Sequence, residues 1–157
     1  MGKHACRACP WDCMGARRHE YILLSNNLEN TNPMRFTTLR GPYAICKLDA
    51  AAAIPDWGAT GAFSSITRAS GELSIICEEA NVPPDTKAER GFSCLRLEGP
   101  FDFQAIGILE SLLAPLAQHG VPVFAISTYD TDWILIQNKH WEKALSVLRD
   151  AGHEMIP

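Results

Sequence analysis

The sequence predicts an α+β fold made of two related units of the ferredoxin-like type. In the second half, strand and helix patterns follow the order strand, helix, strand, strand, helix. Two segments with the pattern of β-hairpins, residues 65–76 and 125–136, align with each other without a gap. The chain has 157 residues, 46% of them hydrophobic and 20% charged, which is enough to bury a core without disulfides.

The C-terminal unit is predicted over residues 90–157. Its elements are a strand at 93–97, a helix at about 102–118, strands at 121–128 and 133–137, and a helix at about 139–151. Ile106, Leu109, Leu113 and Leu116 recur at helical spacing, so they predict one apolar stripe on the first helix. Asp102 is the expected N-cap of that helix.

The N-terminal unit, residues 34–85, is predicted to be an abbreviated version of the same pattern. Strands are expected at 43–48, 63–68 and 73–77, and no long helical pattern lies between them. In the alignment of the two hairpins an acidic residue ends each loop, Glu72 in the first and Asp132 in the second. The stretch 78–90, with two consecutive prolines, is predicted to be a linker.

Residues 1–33 are predicted to be a disordered or non-core leader, because they sustain no strand or helix period. His4, Cys6, Cys9 and Cys13 could supply four metal ligands there. Such a cluster without a second ligand pair is also typical of reduced thiols in an unstructured segment. We therefore predict no metal site. Cys46, Cys77 and Cys94 lie in apolar strand patterns and are expected to be buried free thiols.

Several motifs run in order between residues 55 and 135. They are PDW at 55–57, SITR at 65–68, LEGPFDF at 97–103, GIL with LLAPLA at 107–117, and FAISTYDTDWIL at 124–135. Together they resemble the ACT domain, and in particular small tandem-ACT proteins of bacteria, cytosolic arginine sensors of the TOR pathway and the regulatory regions of aspartokinases. The resemblance implies an antiparallel sheet with helices mainly on one face, and an amino acid bound at the seam between two units.

The resemblance also implies which residues bind the ligand. Gly107 and Ile108 correspond to a Gly-Ile pair at the ligand, about a turn into the first long helix. Thr128, Tyr129 and Asp132 correspond to a loop in which the acidic residue meets the ligand side chain. The sensors carry an acid just before the Gly-Ile pair, and this chain has none there, which argues against arginine itself and leaves a smaller amino acid as the alternative ligand. Gly107 could instead serve helix packing, and Asp132 and Thr128 could be ordinary hairpin residues.

The expected function is amino-acid-dependent regulation by a homodimer without a cofactor. The alternative is a ligand-free ACT module for dimerisation. An enzyme is not expected, because no nucleophile elbow, P-loop or zinc-protease motif occurs, and His119, His140 and His153 are expected on the surface at helix ends. The net charge of −4 argues against nucleic acid. No apolar run is long enough to span a membrane and no secretory signal is evident, so a cytoplasmic location is expected.

Overall fold

A computed structural model describes residues 33–39 and 41–157 of the chain. The strands are β1 (Arg35–Thr38), β2 (Tyr43–Leu48), β3 (Ser65–Ala69), β4 (Glu72–Glu78), β5 (Ala88–Leu97), β6 (Phe124–Ser127), β7 (Asp132–Gln137) and β8 (Glu154–Met155). The helices are α1 (Ile108–Gln118) and α2 (Trp141–Asp150), with short 3₁₀ turns at Asp56–Ala59, Glu79–Asn81 and Asn138–His140. The predicted leader, including the cluster of His4 and three cysteines, lies outside the described residues.

All eight strands form one sheet with β5 at its centre. Along one edge of β5, β1 and then β2 pair antiparallel with it, and β7 pairs along the other edge. The sheet continues from β2 to β4 and β3, from β7 to β6, and from β1 to the short parallel strand β8. Among the described strands, β3 and β6 are each paired on one side.

Alternate side chains of the central strands enter two separate clusters, because successive residues of a strand point to opposite faces. Leu95 and Ile134 pack with the buried residues of both helices, Leu112, Leu116, Ala144 and Leu148. Cys94 and Leu135, on the other face, pack with Tyr43, Phe63, Ile76 and Phe92. Both helices therefore cover one face of the sheet, and the predicted α+β class with helices mainly on one face is confirmed.

The predicted strand–helix–strand–strand–helix order is present as β5, α1, β6, β7 and α2. The prediction of a linker over residues 78–90 is wrong at its C-terminal end, because β5 already begins at Ala88 and pairs there with Cys46. Exposed Glu89 and half-buried Arg90 conceal this part of the strand in the sequence. The long central strand joins the residues of both halves into one sheet.

Helix α1 is shorter than predicted and begins at Ile108, six residues after Asp102. The Asp102 carboxylate accepts a hydrogen bond from the Gln104 N–H at 2.8 Å, so it closes a local turn and does not cap the helix. Gly107 then takes a left-handed conformation, with φ of +83°, immediately before the helix. Ile106 consequently lies outside the apolar stripe and is 98% exposed.

The expectation that His153 lies on the surface is wrong, since its side chain is only 4% exposed. The residue follows α2 and immediately precedes β8, in the turn that returns the chain to the sheet beside β1. Cys46, Cys77 and Cys94 are buried free thiols, as expected. No helix among the described residues is long and apolar enough to cross a membrane.

Candidate functional site

A cleft of about 250 Å³ lies where the loop after β5 and the start of α1 meet the loop between β6 and β7. Four of the five residues proposed from the sequence line it, namely Ile108, Thr128, Tyr129 and Asp132. Gly107 is not in the lining, but it is the residue directly before Ile108 and forms the N-terminal boundary of α1. The other lining residues are Phe101, Asp102, Phe103, Ala105, Ser127, Asp130 and Thr131.

Two hydrogen bonds, one between backbones and one from a side chain, hold together the two segments that form the cleft. The Phe101 N–H donates to the Asp130 carbonyl at 3.0 Å, and the Thr131 hydroxyl donates to the Leu97 carbonyl at 2.6 Å. Thr131 is 5% exposed, so this polar contact is buried. At Gly99 a Cβ atom would lie 2.3 Å from the Asp130 carbonyl oxygen. Glycine is therefore required at this position for the loops to approach as closely as they do.

The loop between β6 and β7 is held by its own hydrogen bonds. Both the N–H and the hydroxyl of Thr128 donate to the Thr131 carbonyl, at 2.8 and 2.7 Å. The Ser127 hydroxyl donates to Oδ1 of Asp132 at 2.5 Å, across the last residue pair of the two strands. Asp132 is half-buried. Its carboxylate is thus fixed in direction at the cleft, and Oδ2 accepts no hydrogen bond from the described residues.

The first turn of α1 forms the other wall. Gly107 accepts the first helical hydrogen bond, from the Ser111 N–H at 2.9 Å, and no side chain of the described residues caps this end. The backbone N–H groups of Ile108, Leu109 and Glu110 precede the first helical donor and have no partner within the helix. They form the positive end of the helix dipole, which favours an anionic group such as a carboxylate.

The side chains around the cleft carry negative charge and aromatic rings. Asp102, Asp130 and Asp132 line it, and none of its lining residues is Lys, Arg or His. Phe103 and Tyr129 contact each other edge to face, with ring centroids 5.0 Å apart. They are 76% and 80% exposed. Carboxylates and aromatic faces both attract ammonium and guanidinium groups, so the arrangement can hold a cation.

The sequence analysis did not include Asp102, Asp130, Phe101 or Phe103 among the ligand-binding residues. Asp102 and the two phenylalanines nevertheless belong to the LEGPFDF motif. The Asp102-to-Ala105 turn, which replaces the expected start of the helix, brings Asp102, Phe103 and Ala105 into the lining. No group of three or more His, Cys, Asp or Glu side chains suited to a metal ion occurs within residues 33–39 and 41–157.

Each half of this chain matches a family of known proteins. The family model of the ACT domain matches residues 87–150, and a model described as an N-terminal domain matches residues 41–85. A protein from Agobacterium tumefaciens with a known crystal structure is 39% identical, with a TM-score of 0.75 over 79% of this chain and 92% of that one.

Two further known proteins are similar to this chain, one in sequence and one in fold. Subunit 1 of the cytosolic arginine sensor for mTORC1 of Bos taurus is 29% identical over 113 residues, 60% of this chain and 34% of that protein. The chain thus spans about a third of the length of this curated relative. An allosteric aspartate kinase of Clostridium acetobutylicum shares the fold, with 10% identity and a TM-score of 0.56 over 77% of this chain and 35% of the kinase. The ACT-domain model and the bovine sensor support a regulatory, ligand-binding role in general, and the chain belongs to the ACT-domain proteins.

Proposed function

We propose that this protein is a regulatory protein that binds an amino acid with a cationic side chain in the cleft between α1 and the β6–β7 loop. The observation that carries the proposal is the pairing of two opposite features across one cleft of about 250 Å³. The uncapped start of α1 suits the ligand carboxylate. Asp132 with its free Oδ2 suits the ammonium or guanidinium group.

In the sequence, the absence of an acidic residue just before Gly107 argued against arginine as the ligand. Asp102 and Asp130 offer a replacement, because they line the same cleft, Asp102 from the segment between β5 and α1 and Asp130 from the loop between β6 and β7. Arginine is also the ligand named for the bovine relative. We therefore propose arginine and lysine as the first ligands to test, and we propose a cytoplasmic, non-catalytic protein by analogy with that cytosolic sensor.

We propose further that a second copy of the chain completes the site. Phe103 and Tyr129 of the cleft lining, with Ile106 just before α1, form an exposed apolar rim. Phe124 is 40% exposed on β6, a strand paired only with β7 among the described residues. A two-fold dimer is the commonest way to cover such a surface with an identical chain. Light scattering at tens of micromolar should give a dimer, and Ile106→Ser should weaken it without loss of core packing. A monomeric wild-type protein, with and without amino acids, would contradict this arrangement.

The same apolar rim favours the second candidate function, a ligand-free dimerisation module. A thermal-shift screen of the twenty L-amino acids separates the two. A specific ligand at a hundred times its dissociation constant stabilises the fold by about 2.7 kcal/mol. If none of the twenty raises the melting temperature while the protein is dimeric, the ligand-free module is the better description.

Calorimetry with L-arginine and L-lysine then tests the site itself. Asp132→Asn keeps an oxygen for the Ser127 hydroxyl but removes the charge. Hydrogen bonds to charged groups contribute about 1.5–3 kcal/mol, so affinity should fall roughly tenfold to a hundredfold. Asp85→Asn is the matched control, because Asp85 is an exposed carboxylate in the turn before β5. Equal affinities for the two variants would place the site elsewhere.

A further inference from the structure

Helix α1 contains a proline that leaves one of its carbonyl groups without an internal partner. Pro115 lies inside the helix, which continues to Gln118. Proline has no N–H, so it cannot donate to the carbonyl four residues earlier, which is that of Ser111. Ser111 is partly buried, and a carbonyl that is shielded from water and has no donor is costly. The structure therefore needs another donor at Ser111.

His153 provides that donor from outside the helix. Its Nε2 lies 3.1 Å from the Ser111 carbonyl oxygen, and its Nδ1 lies 3.2 Å from the backbone nitrogen of Met34. Because a backbone N–H can only donate, Nδ1 is the acceptor and Nε2 carries the hydrogen. The neutral ring therefore connects the interior of α1 to the residue just before β1.

Ser111 links His153 to the first turn of α1, which forms one wall of the candidate site. Its N–H donates to the Gly107 carbonyl at 2.9 Å, and its hydroxyl donates to the Ile108 carbonyl at 2.7 Å. The same residue thus closes the first turn of α1 and receives the hydrogen bond from His153. A continuous path of hydrogen bonds runs from Met34 through His153 and Ser111 to Gly107 and Ile108.

We infer that His153 is a positioning residue, which holds the first turn of α1 at the ligand cleft through the Ser111 carbonyl. The effect on ligand binding rests on the proposed function, whereas the effect on the helix does not. The Glu154 N–H, next to His153, donates to the Met34 carbonyl at 2.9 Å. Ligand contact at the start of α1 and docking of β8 on β1 are then coupled, because His153 bonds to the Ser111 carbonyl of α1 and directly precedes β8.

Hydrogen exchange measured by NMR on the full chain without ligand tests this role. In His153→Asn the amide oxygen can replace Nδ1, so Met34 keeps its acceptor and Ser111 loses its donor. In His153→Gln the amide nitrogen can replace Nε2, so Ser111 keeps its donor. Pro115→Ala restores the helical N–H that is missing. The amides of Ser111 and Leu112 report on α1, and those of Ile134 and Leu135 in β7 report on the sheet.

We expect His153→Asn to accelerate exchange at Ser111 and Leu112 by about tenfold or more beyond any change in β7. His153→Gln should leave the ratio of α1 to β7 exchange near that of the wild type. Adding Pro115→Ala to His153→Asn should restore the wild-type ratio of exchange rates. This double variant should fold even if His153→Asn alone does not. Uniform acceleration at all four amides, equal effects of Asn and Gln, or failure of Pro115→Ala to rescue would each overturn the inference. If the helix responds as expected but no amino acid binds, the proposed function fails and the inference about α1 stands.

Discussion

Replacing Gly99 with alanine should separate the two loops that form the cleft. The new Cβ would lie 2.3 Å from the Asp130 carbonyl oxygen and 3.2 Å from Cβ of Thr131. Ordinary carbon–oxygen contacts begin at about 3.3 Å, so the backbones must move apart by roughly 1 Å. Both neighbours are backbone or buried atoms that cannot rotate away. The clash therefore has to be relieved at the hydrogen bonds between the loops.

Two hydrogen bonds are at risk, from the Phe101 N–H to Asp130 and from the Thr131 hydroxyl to Leu97. Losing the first costs about 1 kcal/mol, and leaving the buried Thr131 hydroxyl unpaired costs about 1–3 kcal/mol. We therefore expect Gly99→Ala to lower the free energy of unfolding by about 2–4 kcal/mol.

Urea denaturation followed by tryptophan fluorescence measures this change. Gly71→Ala is the matched control, because nothing lies within 4 Å of a Cβ there and the backbone is not left-handed. The control should change stability by less than about 0.5 kcal/mol. If Gly99→Ala is as stable as the control, the loops are not fixed as closely as the structure shows, and the rigid-cleft argument fails.

Two further predictions concern buried groups on the strands. Burial raises the pKa of Tyr43 to about 12, so above pH 10 the unfolded chain releases a proton that the folded protein keeps, and stability falls as pH rises from 10 towards 12. In urea titrations at pH 7 and 10.5, Tyr43→Phe should make this loss smaller by the share of one phenol, while the buried thiols keep theirs. The variant should cost little at pH 7, because the hydroxyl has no partner among the described residues. An alkaline loss as large as that of the wild type would contradict the assignment. Burial also raises the pKa of Cys77 to about 11 and that of Cys94 to about 12. Iodoacetamide at pH 8 should therefore label both thiols in urea and not in the native protein, and native labelling of Cys94 at the denatured rate would refute its burial.

The α+β class and the chain order of β5, α1, β6, β7 and α2 were predictable because each depends on local apolar patterns. The short strands β1 and β8 were not predicted. The start of α1 was not predictable, because two signals compete for Asp102. An aspartate before an apolar stripe is typical of an N-cap, yet the same side chain also forms a turn with the N–H two residues later. The structure adopts the turn, with Asp102 bound to Gln104. Gly107 then provides the left-handed residue from which the helix begins.

The role of His153 was hidden for a different reason. Its partners are the carbonyl of Ser111 and the N–H of Met34, 42 and 119 residues away in the chain. Sequence position near a helix end predicts exposure, since most such residues face water. Pro115 was the available signal, because a proline inside a helix implies an unpaired carbonyl that some other group must satisfy.

The repeat between the two hairpins holds in sequence but not in orientation. Ile76 and Ile136 occupy matching positions, yet Ile76 packs on the helix-free face and Ile136 packs beneath the helices. Side chains of strands alternate between faces, so matching positions can share a pattern and still point in opposite directions. The recurrence of an acidic residue at Glu72 and Asp132 is therefore not evidence for two equivalent sites.

The environments of these two acids explain why one cleft of this kind forms in the described part of the chain. Glu72 forms an ion pair with Lys47 at 3.1 Å and lies on the helix-free face, away from any helix start. Asp132 lies on the helix side, bound to the Ser127 hydroxyl and without a basic partner among the described residues, in the cleft that Ile108 also lines. Because Lys47 already pairs with Glu72, Glu72 attracts a ligand cation less strongly than Asp132, which has no basic partner among the described residues. The N-terminal hairpin offers no equivalent of Asp132, so the arrangement that we propose places the second wall of the seam on another copy of the chain.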